Sequence, residues 1–264
     1  VRDMKIMKFG GTSVGNPDRM RALIPLINDG DRKIVVLSAM AGTTNSLVEI
    51  TDLLFADKTA EASIKNDELR SKYHKVVDEL YATDEFRKSG HELIDSHFEY
   101  IRNFTLGVFT KLREKAILAQ GELISTSLFH LLLQEKKIKS VLLPALCFMR
   151  IDKDGEPDAF YIKENLRREL KKHVSENIII TQGFICRNAY GEIDNLKRGG
   201  SDFTASLIGA AAKASEIQIW TDINGFHNND PRFVEKTEVL RDLSFDEAAE
   251  LAYFGAKILH PSSV

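Results

Sequence analysis

Three glycine-bearing loops each lie between a strand-like and a helix-like segment. Gly10 and Gly11 form the first loop, Gly42 lies in the second, and Gly199 with Gly200 forms the third. Such loops at the carboxyl ends of strands direct backbone N–H groups and helix N-termini into one crevice. This arrangement suits an anion, and phosphate is the natural candidate. One glycine pair alone would indicate only a tight turn, so the interpretation depends on the neighbouring side chains.

Charged and polar side chains stand beside these loops. Lys8 ends the first predicted strand, where an ammonium group can reach a phosphate held by the loop, although a strand-end lysine alone is usually solvated. Arg198 carries a guanidinium fork suited to a carboxylate. Ser201 and Asp202 are predicted to cap the next helix, and Glu122 lies at a helix start, where the dipole stabilises a carboxylate without any ligand. Only their combination points to a catalytic or binding site.

Two familiar nucleotide-binding patterns are missing from the sequence. None of the loops matches the P-loop pattern G-x-x-x-x-G-K-[ST] or the dinucleotide pattern G-x-G-x-x-G. P-loop enzymes and dinucleotide-dependent dehydrogenases therefore lose support.

Composition excludes several classes of partner. The 264 residues are 43% hydrophobic and 28% charged, which is ample for the core of one large domain. A net charge of -3 and a pI near 6.2 leave no basic surface for nucleic acid. Two cysteines far apart in sequence suggest neither a disulfide framework nor a metal site, and favour a reducing cytoplasm. We find no uninterrupted apolar run of about 18 residues, and therefore expect no membrane span.

Strand and helix patterns alternate along the chain. Short apolar runs predict strands at 5–9, 33–37, 139–143, 177–180 and 217–220, with a hairpin formed by 184–186 and 192–196. Helices are predicted after Asn16 and Pro17, over 122–133 and 163–174, from the third glycine loop to about 213, and after a capping box of Ser244 and Glu247. The alternation predicts an α/β fold with a mainly parallel sheet covered on both faces.

The segment from about 48 to 118 has helical spacing and many charges. It contains just two glycines, Gly90 and Gly107. We interpret it as a mostly helical insertion whose charge runs are solvated helix faces.

The motifs together resemble those of the aspartate kinases, within the amino acid kinase superfamily. They occur in the order of that family, from one end of the chain to the other: KFGGTSV (8–14), SAMAG (38–42) with Thr44 and Asn45, GE (121–122), RGGSD (198–202), TD (221–222), DPR (230–232) and GAKILHP (255–261). The first, the fourth and the last are specific. The resemblance implies a three-layer α/β/α sandwich, the amino acid kinase fold, over residues 1–264. It also implies transfer of the γ-phosphoryl group of ATP to the side-chain carboxylate of L-aspartate, the first step of the lysine, threonine and methionine biosynthetic branch.

The resemblance also implies a role for each matching residue. The cations that bind the ATP phosphates would be Lys8 and Lys257, oriented by Asp202. Arg198 would bind the α-carboxylate of aspartate and Glu122 its α-ammonium group. The other implied contacts are hydrogen bonds to aspartate from Thr44 and Ser201, phosphate loops lined by Gly10, Gly11 and Ser38, and a nucleotide-binding edge containing Thr221, Asp222, Asp230 and Arg232.

The implied chemistry needs no general base, because a carboxylate with a reference pKa of about 4 is already ionised at neutral pH. Catalysis would consist of in-line positioning and charge stabilisation. Mg²⁺ would be held chiefly by ATP oxygens and water, with no metal ligands assigned on the protein.

The sequence departs from the family pattern in two respects. After Asp222 it runs GFHNN (225–229) where small hydroxyl residues are usual, so the adenine or ribose pocket is expected to differ, and His227 is a candidate to stack on a base. Family members also continue past the LHP motif into regulatory ACT domains, so we interpret the chain as C-terminally truncated, without those domains. Fusion to a homoserine dehydrogenase, the allosteric effector, the activity of the truncated chain and the oligomeric state stay open, although the family allows a homodimer.

Two other hypotheses remain. A related superfamily kinase acting on glutamate, N-acetylglutamate, carbamate or a nucleoside monophosphate would share the lysine and glycine loops but not both specific motifs. A non-catalytic amino-acid or nucleotide sensor would not need both Lys8 and Lys257, since a pure binder has no transition-state charge to stabilise.

Overall fold

The central sheet of the protein has five parallel strands. The computed structural model describes residues 4–197, 199–229 and 233–254. The strands are β1 Lys5–Phe9, β2 Lys33–Leu37, β3 Ser140–Leu142, β4 Ile178–Gln182, β5 Ile185–Arg187, β6 Ile193–Asn195 and β7 Glu216–Trp220. The sheet order is β3-β4-β2-β1-β7, and β5 pairs with β6 in a separate antiparallel hairpin.

Helices connect the strands and cover the sheet. They are α1 Pro17–Ile27, α2 Thr43–Phe55, α3 Thr59–Leu80, α4 Asp84–Asn103, α5 Lys111–Leu118, α6 Gln120–Glu135, α7 Ala159–Lys172, α8 Gly200–Ala212 and α9 Phe245–Phe254. The start of α1 follows the sequence expectation, because the Asn16 side chain accepts a hydrogen bond from the Arg19 N–H and Pro17 is the first helical residue.

The two faces of the sheet pack into two separate cores. Met7, Val35 and Ile180 face a core built with α1, α6 and the helices α2 to α4. Their sequence neighbours, such as Ile6 and Ile179, face a second core built with α7 and α8. Since both faces are buried at the centre of the sheet, β2 and β4 begin with or contain continuous apolar runs, whereas the edge strand β7 alternates. The predicted three-layer α/β/α sandwich with a parallel sheet is confirmed.

Helices α2 to α5 occupy the segment predicted to be a helical insertion. Tyr73 of α3 and Phe98 of α4 pack with ring centroids 5.7 Å apart, and the Asn66 amide donates to the Phe98 carbonyl. The Tyr81 hydroxyl donates to the carbonyl of Leu128 in α6, at 2.8 Å. The insertion is therefore packed directly on α6.

Some predicted boundaries are wrong by a few residues. The helix predicted from 163 begins at Ala159, because the Asp158 side chain accepts the Tyr161 N–H and caps it there. The helix predicted from Glu122 begins at Gln120, which makes Glu122 its third residue. The predicted capping box is present, with Ser244 and Glu247 exchanging hydrogen bonds at the start of α9.

One helical stretch among the described residues, Lys111–Glu135, is long and apolar enough by composition to cross a membrane. However, 72% of its most apolar window is buried inside the protein. Burial of this extent is typical of a core helix: α6 packs against the central sheet, and α5 packs against α2, α6 and β6.

A partly buried histidine makes the stability of the insertion dependent on pH. The Nδ1 of His97 lies 2.6 Å from the Gln120 side-chain oxygen, and burial lowers the pKa of His97 below its usual value. In the range of about pH 5.5–6.5 the unfolded chain therefore binds a proton that the folded chain resists. Stability present above about pH 6.5 is expected to be lost as the pH falls.

The substitution His97→Gln should reduce this loss, because glutamine keeps a donor for Gln120 and does not titrate. Urea unfolding at pH 7.5 and pH 5.5 measures the difference. The control is a comparison at two pH values above 7, where the free energies of unfolding of the variant and the parent should differ by a constant amount. Equal losses of stability in the two proteins between pH 7.5 and pH 5.5 would contradict the assignment.

Candidate active site

A cavity of about 370 Å³ opens at the carboxyl ends of β1, β2 and β4, beside the N-termini of α2, α6 and α8. All three glycine loops named from the sequence reach it or lie beside it. The lining residues are Lys8, Gly11, Ser38, Ala39, Met40, Ala41, Gly42, Thr44, Glu122, Phe184, Lys197, Gly199, Gly200, Ser201 and Asp202.

An ion pair forms one wall of the cavity. Lys8 lies on the same face of β1 as Ile6, which directs it toward α8, and its Nζ lies 2.6 Å from an Asp202 carboxylate oxygen. Both side chains are largely buried, at 11% and 14% exposure. Asp202 thus holds the ammonium group in a fixed position at the carboxyl end of β1, where it can meet an anion.

The first two loops are in backbone contact. The Ala41 N–H donates to the Gly11 carbonyl at 3.1 Å, and a Cβ at Gly11 would lie only 2.8 Å from the Ala39 carbonyl oxygen. A residue with a side chain would push the loops apart. Gly11 therefore lets the loops that follow β1 and β2 form one continuous backbone surface, with Gly10 beside the Lys8 ammonium group.

Glu122 is a buried carboxylate that lacks a full set of partners. It is 4% exposed, and one of its oxygens accepts the Ala39 N–H at 3.2 Å. The other oxygen has no hydrogen-bond partner among the described residues. Burial raises the pKa of Glu122 to about 8, against which the Ala39 hydrogen bond acts only in part. The site is thus suited to a cation that supplies the missing hydrogen bonds.

The start of α8 differs from the sequence expectation. Ser201 and Asp202 do not cap the helix, because Gly199, with φ of 79°, occupies the cap position and no side-chain cap bond forms. Both residues lie in the first turn instead. Ser201 is pressed against Gly183, where a Cβ would lie 2.5 Å from the serine Oγ. The side chains of Ser201 and Asp202 are consequently available to the cavity.

Other predicted site residues lie elsewhere. Thr221 and Asp222 follow β7, are exposed and do not line the cavity; the Thr221 hydroxyl donates to Asp222 at 3.2 Å. His227 hydrogen-bonds the Thr237 hydroxyl at 2.9 Å. Four predicted residues, Arg198, Asp230, Arg232 and Lys257, lie outside the described residues.

Some lining residues were not assigned a role from the sequence. Phe184 follows Gly183 at the end of β4 and has a positive φ of 66°, while Lys197 lies two residues before Gly199 of the third glycine loop. A glycine immediately after a buried strand was the available signal for the Gly183–Phe184 turn. Sequence reasoning placed Phe184 only at the start of a hairpin strand, 184–186.

The donor set bears on the Mg²⁺ implied by the resemblance. Among the residues that the structure describes, no group of three or more histidine, cysteine or acidic side chains could hold a metal ion. Asp202 and Glu122 are the acidic side chains in the cavity lining, and Asp202 is already paired with Lys8. The described residues therefore fit a metal held mainly by phosphate oxygens and water.

The high pKa of Glu122 predicts a specific effect on stability. The folded chain keeps the proton up to about pH 8, whereas the unfolded glutamate releases it near 4.5. The stabilisation is complete below about pH 4.5 and is lost as the pH rises toward 8. Glutamine at position 122 cannot ionise, so it avoids this loss. The change in unfolding free energy caused by Glu122→Gln should therefore be more favourable at pH 8 than at pH 5, by on the order of 3 kcal/mol.

Thermal unfolding of both proteins at pH 5 and pH 8 checks this prediction. The matched control is Glu169→Gln on α7, because Lys172 holds the pKa of Glu169 below its usual value. That substitution should be destabilising at both pH values. A gain from Glu122→Gln that does not grow with pH would show that Glu122 is ionised in the free chain.

Comparison with known proteins identifies the relatives of this chain. Lysine-sensitive aspartokinase 3 of Escherichia coli is 35% identical over 268 residues, which cover 100% of this chain and 59% of that protein. The bifunctional aspartokinase/homoserine dehydrogenase of Buchnera aphidicola is 30% identical, over 99% of this chain and 33% of its own length. The chain thus spans well under two thirds of these relatives.

The same similarity appears in three dimensions. The crystal structure of E. coli aspartokinase III in complex with aspartate and ADP superposes with a TM-score of 0.87 at 33% identity, covering 99% of this chain and 58% of that one. The model of the amino acid kinase family matches residues 3–264. With the parallel sheet and the loop-lined cavity, this match shows that the chain belongs to the amino acid kinase family.

Proposed function

We propose that the site transfers the γ-phosphoryl group of ATP to the side-chain carboxylate of L-aspartate, giving 4-phospho-L-aspartate and ADP. One observation carries the proposal: a single cavity contains a fixed ammonium group, Lys8, and a buried, partly unsatisfied carboxylate, Glu122. The first is suited to phosphate and the second to the α-ammonium group of an amino acid. The similarity to aspartokinases supports aspartate as that amino acid.

The amino-acid half of the site is proposed to be built around Glu122. A substrate ammonium group would supply the hydrogen bonds that its second oxygen lacks, at the start of α6. Thr44 and Ser201 line the same cavity and would donate hydrogen bonds to the carboxylates of the substrate. By resemblance, Arg198 is assigned to the α-carboxylate.

The phosphate half is proposed to be the backbone surface formed by Gly10, Gly11 and Ser38. Lys8 supplies the positive charge there, and Asp202 orients it through their ion pair. The loop N–H groups and the N-terminus of α8 add partial positive charge. Lys257 as a second cation, and Thr221, Asp222, Asp230 and Arg232 at the nucleotide edge, are assigned from the resemblance.

The reaction needs positioning and charge stabilisation more than proton transfer. A carboxylate oxygen of aspartate attacks the γ-phosphorus, and the bond from that phosphorus to the leaving ADP oxygen breaks. The nucleophile is ionised at neutral pH, so no residue must accept a proton. Lys8 offsets negative charge on the transferred group. The described residues offer no cluster of metal ligands of their own, so Mg²⁺ would arrive with the phosphates of ATP and would add charge neutralisation there.

The remaining assignments follow from this proposal. Such an enzyme would act in the cytoplasm in amino-acid biosynthesis, with neither nucleic acid nor membrane as partner, and a homodimer is the assembly that the resemblance allows. A sensor without catalysis is the alternative from another class. The Lys8–Asp202 pair favours the kinase, because holding a lysine in place suits charge that develops during a reaction.

Hydroxamate formation tests the reaction and the role of Lys8. With Mg²⁺-ATP and hydroxylamine, the chain should convert L-aspartate and leave L-glutamate nearly unreacted. The substitution Lys8→Ala should lower kcat by about 10²-fold or more, because it removes a charge that stabilises the transition state. The matched control is Lys5→Ala, since Lys5 lies on the same strand, is more exposed and pairs with Asp31 away from the cavity.

The outcomes separate the hypotheses. Equal turnover of glutamate would show that the proposed specificity is wrong. Binding of aspartate and ATP without turnover would favour the sensor. Equal loss of activity in the Lys5 and Lys8 variants would show that Lys8 has no special role in catalysis.

The pKa of Glu122 predicts how the reaction depends on pH. Since its carboxyl is protonated below about pH 8 in the free chain, kcat/KM for aspartate should fall by up to tenfold per unit as the pH drops from 8 to 6. The substitution Glu122→Gln should lower kcat/KM and also remove most of this slope. The pH profile of ATP KM is the internal control, and a slope that persists in the variant would assign the titration to another group.

A further inference from the structure

Tyr73 of the helical insertion lies directly behind the cavity wall. Its hydroxyl and the Thr43 hydroxyl are 2.7 Å apart in a buried hydrogen bond. Its ring is 2% exposed and packs against Phe98. The tyrosine itself does not line the cavity. Its hydrogen bond to Thr43 links it to the cavity wall.

Thr43 occupies a critical place in the cavity wall. The residues on either side of it, Gly42 and Thr44, line the cavity, while the buried Thr43 side chain turns inward to Tyr73. Its backbone N–H donates to Met40 at 3.0 Å, which closes the turn before α2. Fixing the Thr43 side chain thus fixes the position of the Thr44 backbone.

The same threonine also supports Glu122. A Cβ on Gly121 would lie 2.8 Å from the Ala39 Cβ and 3.4 Å from the Thr43 Cγ2, so α6 packs tightly against this loop. Glu122, the next residue, accepts the Ala39 N–H. A displacement of Thr43 would be transmitted to Glu122 through this contact, because close-packed interiors transmit strain.

The phosphate half of the cavity is supported by different elements. Lys8 is held by Asp202 of α8, and Gly11 contacts Ala41 through the backbone. Among the described residues, the Tyr73 side chain hydrogen-bonds Thr43 and packs against Phe98, and neither partner belongs to the phosphate half. A change at Tyr73 is therefore expected to affect the amino-acid half of the cavity rather than the phosphate half.

We propose that Tyr73 is a positioning residue for the amino-acid substrate: its hydroxyl holds Thr43, and through Thr43 it sets the relative positions of Thr44 and Glu122. This inference depends on the proposed function in taking the ligand of that half-site to be L-aspartate. It assigns to the helical insertion a part in substrate recognition, although the insertion contributes only Thr44, at the start of α2, to the lining.

Two substitutions at the hydrogen bond, singly and together, test the proposal. Tyr73→Phe and Thr43→Val should each raise the KM and the calorimetric Kd for L-aspartate by roughly tenfold. Each substitution removes one hydroxyl of the hydrogen bond and leaves the other hydroxyl buried without that partner. The double variant should show about the same change as either single variant, because one interaction is lost in all three. The KM for ATP should change by less than about twofold.

Tyr81→Phe is the matched control. Tyr81 is likewise 2% exposed, and its hydroxyl donates to Leu128 on the side of α6 away from the cavity. Its loss should lower the melting temperature to a similar extent and leave the KM and Kd for aspartate unchanged. A purely structural role for Tyr73 would produce this same pattern.

Each outcome decides between the two proposals. If Tyr73→Phe lowers the melting temperature but leaves the aspartate Kd within about twofold, the positioning role is overturned, and additive effects in the double variant overturn it too. If the unmodified chain binds aspartate without phosphorylating it, the proposed function fails, while the Kd series still decides on Tyr73. An unmodified chain that does not bind L-aspartate overturns both.

Discussion

The parallel pairing of β1 with β2 is the constraint on which the site depends. Phe9 lies opposite Leu37 in the register, so both strands end at the same level and their loops leave the sheet side by side. Parallel strands direct the loops at their carboxyl ends to one edge, which places backbone N–H groups and helix N-termini together. Gly11 allows these two loops to touch. A shift of one residue in this register would turn Lys8 toward the opposite face of the sheet.

The cavity contains two buried ionisable side chains, Lys8 and Glu122, that are held in different ways. Lys8 is buried and paired with Asp202, so its position is restricted. Glu122 is buried with one oxygen unpartnered, and its pKa is raised to about 8 in consequence. The first arrangement brings two opposite charges together without a ligand, whereas the second has an oxygen without a partner among the described residues that a ligand can bind. This difference separates a phosphate side from an amino-acid side within a single cavity.

The helical insertion is part of the same structure rather than an appendage. Its core residues, including Tyr73 and Phe98, belong to the hydrophobic cluster that also contains Met7 and Val35 of the sheet. The insertion thereby supports α6, which carries Glu122 at its start. Sequence reasoning assigned no function to this segment, because charged helical faces without a motif are typical of solvated surface. The contact between Tyr73 and Thr43 joins residues 30 positions apart in sequence.

The sequence alone determined the order of strands and helices, the three-layer fold, the glycine loops and the family motifs, because local periodicity, capping residues and loop glycines are written in short stretches. It did not determine that Gly199 rather than Ser201 caps α8, since that depends on a left-handed backbone conformation set by packing. The family resemblance implied that Asp202 orients Lys8, but the sequence did not indicate that the two form a direct, largely buried ion pair, nor that Glu122 is buried. Only the tertiary structure decided these features, because charge pairing and pKa shifts arise from neighbours that are distant in sequence.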